Sequence, residues 1–502
     1  MSKSFYITTP IYYVNDIPHI GHAYTTILAD VLSRYQKQVG NETFFLTGLD
    51  EHGQKVQDAA KHRGIETQDH CDEMSKRFTS LWERLHISND DFIRTTEDRH
   101  TKLVKTMLKK VFDAGDIYED EYQGLYSVSE ERFITEKEAD TGQFRDIKEL
   151  KEKNYFFRMS KYQDNLISHI ESNPNFIQPN HRRNEILGFL KKPLNDLCIS
   201  RPKSRLNWGI ELPFDSDYVT YVWFDALINY ITAPGYLDDQ SLFKQFWPAD
   251  IHLIGKDILT THAVYWPTML MSAGIKLPSM IFAHGWWLMG KEKMSKSSGN
   301  VVNPMDLIDD YGVDPVRYYL MREMVLGQDA NFTFKSFINR YNSDLANDLG
   351  NLLSRISTLI KKNYNGHIPE SFSAGNEEKE IRYQSIELVK NFDKLMSSLL
   401  INEAIEEILQ FIRSINRYFE HKAPWKLVKE NLKSAGVVLY TGAEALRICA
   451  VLLSPIMPKR MKLLLSILNA ESYDRSWGSL RAGELMGEHK PLFPRITSEN
   501  IL

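Results

Sequence analysis

Apolar residues along the chain fall first into short aromatic and β-branched runs and later, through the last third, into helical stripes. Phe5-Tyr6-Ile7-Thr8-Thr9 has the composition of a strand. Past a loop rich in Pro, Asn and Asp, Ile20, Ala23, Tyr24, Ile27, Leu28, Val31, Leu32 and Tyr35 recur at helical spacing. They predict a helix from about His19 that Gly40 can end. Thr43-Phe44-Phe45-Leu46-Thr47 stops at Gly48, as a strand buried on both faces does. Strand, helix and strand in this order make a βαβ unit and predict an α/β architecture, a doubly wound parallel sheet of Rossmann type.

That rhythm breaks between about Ile117 and Arg205, where aromatic, charged and turn residues mix, so an inserted subdomain is expected there. Strand-like runs return at residues 218–224, 251–254 and 280–283, with a helix predicted from Thr260 to Met271, so the interrupted sheet is expected to resume. Beyond about Lys335 the strands stop. Leu345, Leu349, Leu352, Leu353, Ile356, Leu359 and Ile360 mark one helical face, and residues 399–418 and 437–453 mark others, which predicts an all-α bundle. The expected division is 1–116 and 206–334 for two halves of a sheet domain, 117–205 for the insertion and 335–502 for the helical domain. Residues 437–457 come nearest to a membrane span. Glu444 and Arg447 would be costly at a bilayer centre, so a buried helix is expected, with no membrane partner. The first residues carry no charged-then-apolar leader, so no secretory signal is expected.

Composition narrows the setting. A chain of 502 residues is expected to form two or three domains. With 61 Lys and Arg against 66 Asp and Glu the formal charge is −5, so a nucleic-acid site must be a local basic or aromatic surface on an acidic whole. Cys71, Cys198 and Cys449 form no CxxC pair, which speaks against a disulfide framework and a thiolate zinc site and fits a reducing cytosol.

Two familiar phosphate motifs are missing: no GxGxxG occurs, and Gly48-Leu-Asp-Glu-His-Gly53-Gln54 has Gln54 where a phosphate loop needs lysine. Pro18-His19-Ile20-Gly21-His22 instead stands where the first strand hands over to its helix. A helix start presents unpaired N–H groups and a positive dipole end, His19 and His22 share one side of the first turn, and Gly21 lets a nucleotide approach the backbone. Alone, the motif reads equally well as two solvent-facing caps. Lys293-Met294-Ser295-Lys296-Ser297, between Gly290 and Gly299, is a second element whose lysines could neutralise charge on a departing pyrophosphate. A lone lysine pair is more often a solvated loop. Both elements in one chain, in this order, change the balance.

Together they resemble class I aminoacyl-tRNA synthetases, over most of the chain from Phe5 to at least Trp425. Thr9-Pro-Ile-Tyr-Tyr-Val-Asn15, Gly48-Leu-Asp-Glu-His-Gly53 and Tyr221-Val-Trp-Phe-Asp-Ala-Leu227 are similar to the methionine-specific members. The resemblance implies ATP-dependent activation of L-methionine to methionyl-adenylate and transfer to the 3′ end of tRNA(Met), elongator and initiator. It implies catalytic roles for His19, His22, Lys293, Lys296 and Arg201, with ATP held by His19, Gly21, His22, Gly255, Lys293 and Lys296. Ile11, Tyr13, Asp50, Trp223, Ala226, Leu227, Tyr230 and His262 would bind methionine, Asp50 taking the ammonium and Tyr230 or His262 the sulfur. An aromatic and aliphatic cage suits a flexible thioether.

Asn351, Arg355 and Trp425 match anticodon-reading positions, Asn and Arg to meet base edges and Trp to stack. ATP is expected as its Mg2+ complex. The stretch Gly124-Leu-Tyr-Ser127-Val-Ser129-Glu130-Glu131-Arg-Phe133 has no cysteine where many relatives bind zinc, so no structural zinc is expected. Without the C-terminal module that dimerises some relatives, a cytoplasmic monomer is expected. Sister synthetases usually carry a larger editing insertion or a thiolate zinc site. A small nucleotidyltransferase would not need the helical domain, and a non-catalytic RNA-binding paralogue would tend to lose the histidines and lysines.

Overall fold

The computed structural model describes residues 3–15, 17–127, 132–134, 139–140, 147–289, 292–293, 302–370, 374–470, 472–488 and 490–497. The chain forms two compact units: Met1–Pro18 with Asn41–Leu81 and Ser88–His284, and His19–Gly40 with Trp82–Ile87 and Gly285–Leu502.

The first unit is built on a six-stranded sheet that contains β1 (Ser4–Tyr13), β2 (Glu42–Asp50) and β3 (Asp91–Arg94). Its spatial order is β3, β2, β1, Ile251–Gly255, Ile281–His284 and Ile177–Gln178, every neighbour parallel. Residues 6–9 of β1 and 44–50 of β2 are buried without alternation, as in strands covered on both faces. The β1–β2 register slips between Thr8 and Ile11, so that Tyr13 ends opposite Asp50. A core of Leu46, Ile93, Phe224, Leu227, Ile254 and Trp266 is shared with Leu103, Met107 and Val111 from one face of α4 (Asp98–Asp113; α2 is Gln54–Arg63 and α3 Thr67–Arg84).

Residues 117–205 hold a four-stranded antiparallel sheet, in the order Arg132–Ile134, Ile117–Ser127, Ile147–Phe157, Leu197–Cys198. They also supply Ile177–Gln178 to the edge of the parallel sheet, a strand too short to leave a pattern in the sequence. The run at 218–224 differs from its expectation. Asp215–Thr220 is a strand, but it pairs antiparallel with Glu211–Leu212 and Ser200–Pro202, and the chain turns helical over Val222–Leu227. Phe224, Asp225, Ala226 and Leu227 are all buried, so the segment shows no period that would tell helix from strand. The helix expected from Thr260 to Met271 is a π turn, Thr261–Tyr265, followed by an α-helix, Trp266–Ser272, whose first turn holds Pro267.

The second unit contains α1 (Ile20–Gln38), capped by Val39 and followed by Gly40 at φ 89°, a left-handed conformation that glycine adopts without strain. From Phe334 to Ile467 its regular elements are helical, among them Asn351–Asn363, Ile401–Lys422, Pro424–Glu430 and Leu432–Leu453. Leu432–Leu453 is long and apolar enough to cross a membrane, yet its apolar stretch is wholly buried. Its two buried charges answer each other, Arg447 lying 2.7 Å from Glu444.

Candidate active site

In the second unit His19 is the N-cap of α1, and its Nδ1 accepts the Gly21 N–H at 3.0 Å. His22 returns the bond, its Nδ1 accepting the His19 N–H at 3.3 Å, and the rings stack 3.9 Å apart. With Nδ1 an acceptor in both rings, each neutral imidazole carries its proton on Nε2 and offers it as a donor. A Cβ on Gly21 would stand 2.9 Å from His19 Cε1, so glycine is what lets the first ring take this place.

The residues expected to bind methionine lie in the first unit, several of them at or just past the carboxyl ends of the parallel strands, where α/β sheets take ligands. Asp50 closes β2, and Tyr13 stands opposite it. Trp223, Ala226 and Leu227 come from the helix Val222–Leu227, Tyr230 from the turn Asn229–Thr232, and His262 from the π turn. His262 Nδ1 is 3.0 Å from the Ile258 carbonyl oxygen, which can only accept, so that nitrogen carries the proton. Tyr230 therefore donates its hydroxyl to His262 Nε2 at 2.8 Å. Burial holds His262 down at about 4, a neutral ring. Burial raises the Tyr230 phenol, and the neighbouring Tyr12 and Asp50 add to the shift. Trp223 meets the His262 ring edge-on at 6.4 Å. Ile11 packs against the core, whereas Tyr13 is half-buried with the Lys55 ammonium 5.8 Å from its ring centre.

Packed nearby are residues to which the sequence assigned no role of their own. Trp266 donates to His252 Nε2 at 3.2 Å, so His252 Nδ1–H donates to Thr8 at 2.8 Å, and the ring lies 4.2 Å from that of Tyr230. Burial drives the His252 pKa well below its ordinary value. Glu51 is buried between Arg94, at 2.7 Å, and the Thr96 hydroxyl. Asp225 joins His52 Nδ1 at 2.6 Å and His100 Nε2 at 2.7 Å. Burial pushes its carboxyl up, but the charges and hydrogen bonds of the two histidines outweigh that and hold it below the usual range. A single histidine within an apolar strand or on a buried helix face has no partner at a telling spacing, which is why His252 and His100 carried no signal.

Arg201, on the strand Ser200–Pro202, is buried with its guanidinium 4.5 Å from the Tyr221 ring centre and donates to the Ser200 carbonyl at 2.7 Å. It lines a small cleft with Gly53, Gln54, Arg205 and Tyr221. Gly255 ends its strand beside Asp257. The Lys293 backbone pairs with Leu288 in a two-residue strand, while its side chain and all of Lys296 lie outside the described residues. Among the described residues no three His, Cys, Asp or Glu side chains cluster as metal ligands; Ser129, Glu130 and Glu131 of the insertion lie outside them.

In the helical part, Asn351 is exposed at the start of Asn351–Asn363 and Arg355 follows one turn on. The Arg355 guanidinium stacks 4.9 Å from the Trp425 ring centre and reaches Glu420 at 2.8 Å. Ala423 at φ 45° breaks the chain between the helices Ile401–Lys422 and Pro424–Glu430, turning Trp425 towards Arg355.

A parallel sheet, a helix opened by His-Ile-Gly-His and a following helical domain agree with the architecture of class I aminoacyl-tRNA synthetases. The family described as tRNA synthetases class I (M) matches residues 5–144 and 145–357, and the anticodon binding domain of methionyl tRNA ligase matches residues 368–501. The chain is 47% identical to a methionine–tRNA ligase of Fusobacterium nucleatum, over 99% of this chain and 81% of that protein. It is 44% identical to one of Rickettsia conorii, over 99% and 100% respectively. The structure of Mycobacterium tuberculosis methionyl-tRNA synthetase in complex with methionyl-adenylate superposes with a TM-score of 0.94 at 40% identity, covering 98% of this chain and 100% of that one. This chain belongs to the methionyl-tRNA synthetase family.

Proposed function

We propose that the chain joins L-methionine to ATP and passes the amino acid to the 3′ end of tRNA(Met). The observation that carries this reading is the grouping of Asp50, Tyr230, His262 and Trp223, an acid beside buried or part-buried rings past the ends of the parallel strands. In the first step a methionine carboxylate oxygen bonds to the α-phosphorus of Mg-ATP, and the bond to the pyrophosphate oxygen breaks. No proton needs to move, so positioning and charge stabilisation supply the rate. The Nε2–H groups of His19 and His22, with Lys293, Lys296 and Arg201, meet the phosphate charge, and Gly255 leaves room for the nucleotide. Asp50 takes the methionine ammonium. Ile11, Tyr13, Trp223, Ala226 and Leu227 enclose the side chain. With the Tyr230 proton committed to His262, a hydrogen bond to the thioether sulfur requires that pair to open when methionine enters.

In the second step the terminal ribose hydroxyl attacks the adenylate carbonyl, and AMP leaves. Asn351, Arg355 and Trp425 read the anticodon of both initiator and elongator tRNA, and the enzyme works as a cytoplasmic monomer without structural zinc. We assign 1–116 and 206–334 to the catalytic domain, 117–205 to its insertion and 335–502 to the anticodon domain. Amino-acid-dependent ATP–pyrophosphate exchange, run with all twenty amino acids and no tRNA, tests the reading. Exchange with methionine alone is expected. Exchange with another amino acid would overturn the pocket assignment, and none at all would overturn the activity.

A further inference from the structure

Asp225 is a carboxylate with no exposed side-chain surface, held by His52 on one oxygen and His100 on the other. An ion buried this completely persists while both donors remain, because losing one leaves its desolvation unmet. The three residues come from three segments. His52 follows Asp50 by two positions at the end of β2, Asp225 lies between Trp223 and Ala226, and His100 is on the buried face of α4. His100 is anchored in turn: its Nδ1 is 3.1 Å from the Thr232 hydroxyl, whose own proton goes to the Ile228 carbonyl at 2.9 Å. His100 thus donates on both sides.

From this connection we infer that His100 is a positioning residue for methionine binding: through Asp225 and His52 it holds the Asp50 end of β2 and the Trp223 helix in one register. The inference rests on the pocket proposed above. Asp50 is to hold the ammonium of methionine while Trp223 and Ala226 enclose its side chain, so a slip of one segment against the other misplaces methionine and spares ATP. An apolar triplet of equal volume would fill the same space, but it would not tie three segments at fixed distances.

The test measures KM for methionine and for ATP separately in pyrophosphate exchange by the full chain, with methionine affinity read by calorimetry on the same samples. His100→Ala should raise the methionine KM and Kd about tenfold, the scale of one lost charge-assisted hydrogen bond, and leave the ATP KM within about twofold. His100→Gln, whose amide nitrogen can stand where Nε2 stood, should recover most of the loss. An unchanged methionine constant in folded His100→Ala, equal rises for both substrates, or a Gln variant no better than Ala would overturn the inference. If His100→Ala does not fold, Thr232→Val decides, because it removes only the outer acceptor. A methionine-selective rise supports the tie and an unchanged constant overturns it. Exchange failing in the unaltered protein while calorimetry reports methionine binding would overturn the proposed activity and leave the variants' affinities to judge the tie.

Discussion

His262 is a ring that protein burial keeps neutral, and its titration gives a prediction of stated sign. Its folded pKa of about 4 lies below the ordinary 6.5, chiefly through desolvation. Between those values the unfolded chain binds a proton that the folded one refuses, so stability falls as pH drops from 6.5 towards 4, by on the order of 3 kcal/mol at most from this group. His262→Asn keeps a donor for the Ile258 carbonyl and removes the titration. The melting temperature of the unaltered protein should therefore fall more steeply over that window than the variant's. Parallel curves would mean that the ring titrates normally. At this scale the sequence draws the eye only where side chains sit at a meaningful spacing. His19 and His22 stand three apart around Gly21, whereas His100 meets Asp225, and His252 meets Thr8 and Trp266, through folding alone, with no telling spacing between the partners.

Among the elements, α1 carries the sharpest requirement. Its start is closed by side chains, each histidine accepting a backbone N–H, and the closure depends on a bare Cα at Gly21. Gly21→Ala would push the His19 ring from its cap and turn its Nε2 away from an incoming phosphate. A displacement of about 1 Å at a reacting group can cost roughly a hundredfold in rate. Methionine-dependent exchange should fall on that scale while circular dichroism keeps its helical signal, and an unimpaired rate would remove these histidines from the mechanism. The first βαβ unit was legible because its periods are clean: β1 and β2 are buried on both faces, and α1 repeats its apolar residues at helical spacing. The segment Val222–Leu227 was not, since burial on every side erases the alternation that distinguishes a strand from a helix. Ile177–Gln178 was not either, because two residues cannot show a period.

Across the molecule, compactness does not follow chain order: α1 belongs to the same unit as the C-terminal helices. A buried ion pair fixes it there. Asp30 of α1 lies 2.6 Å from Arg317, which also donates to the carbonyls of Leu85, Pro455 and Ile456, the last two just past the helix Leu432–Leu453. The helix opened by His19 and the surface formed by Asn351, Arg355 and Trp425 are therefore parts of one body, although hundreds of residues separate them in sequence. If the indole stacks an anticodon base, Trp425→Ala should reduce kcat/KM for tRNA charging roughly tenfold to a hundredfold. Arg355→Ala should act in the same direction, since its guanidinium backs the indole face at 4.9 Å. Methionine-dependent pyrophosphate exchange without tRNA should keep its rate in both variants, because neither side chain takes part in the pocket. Charging and exchange measured on one preparation separate the possibilities. A loss confined to charging assigns this surface to tRNA, whereas a joint loss would mean that these residues hold the body of the second unit together, with α1 failing alongside them.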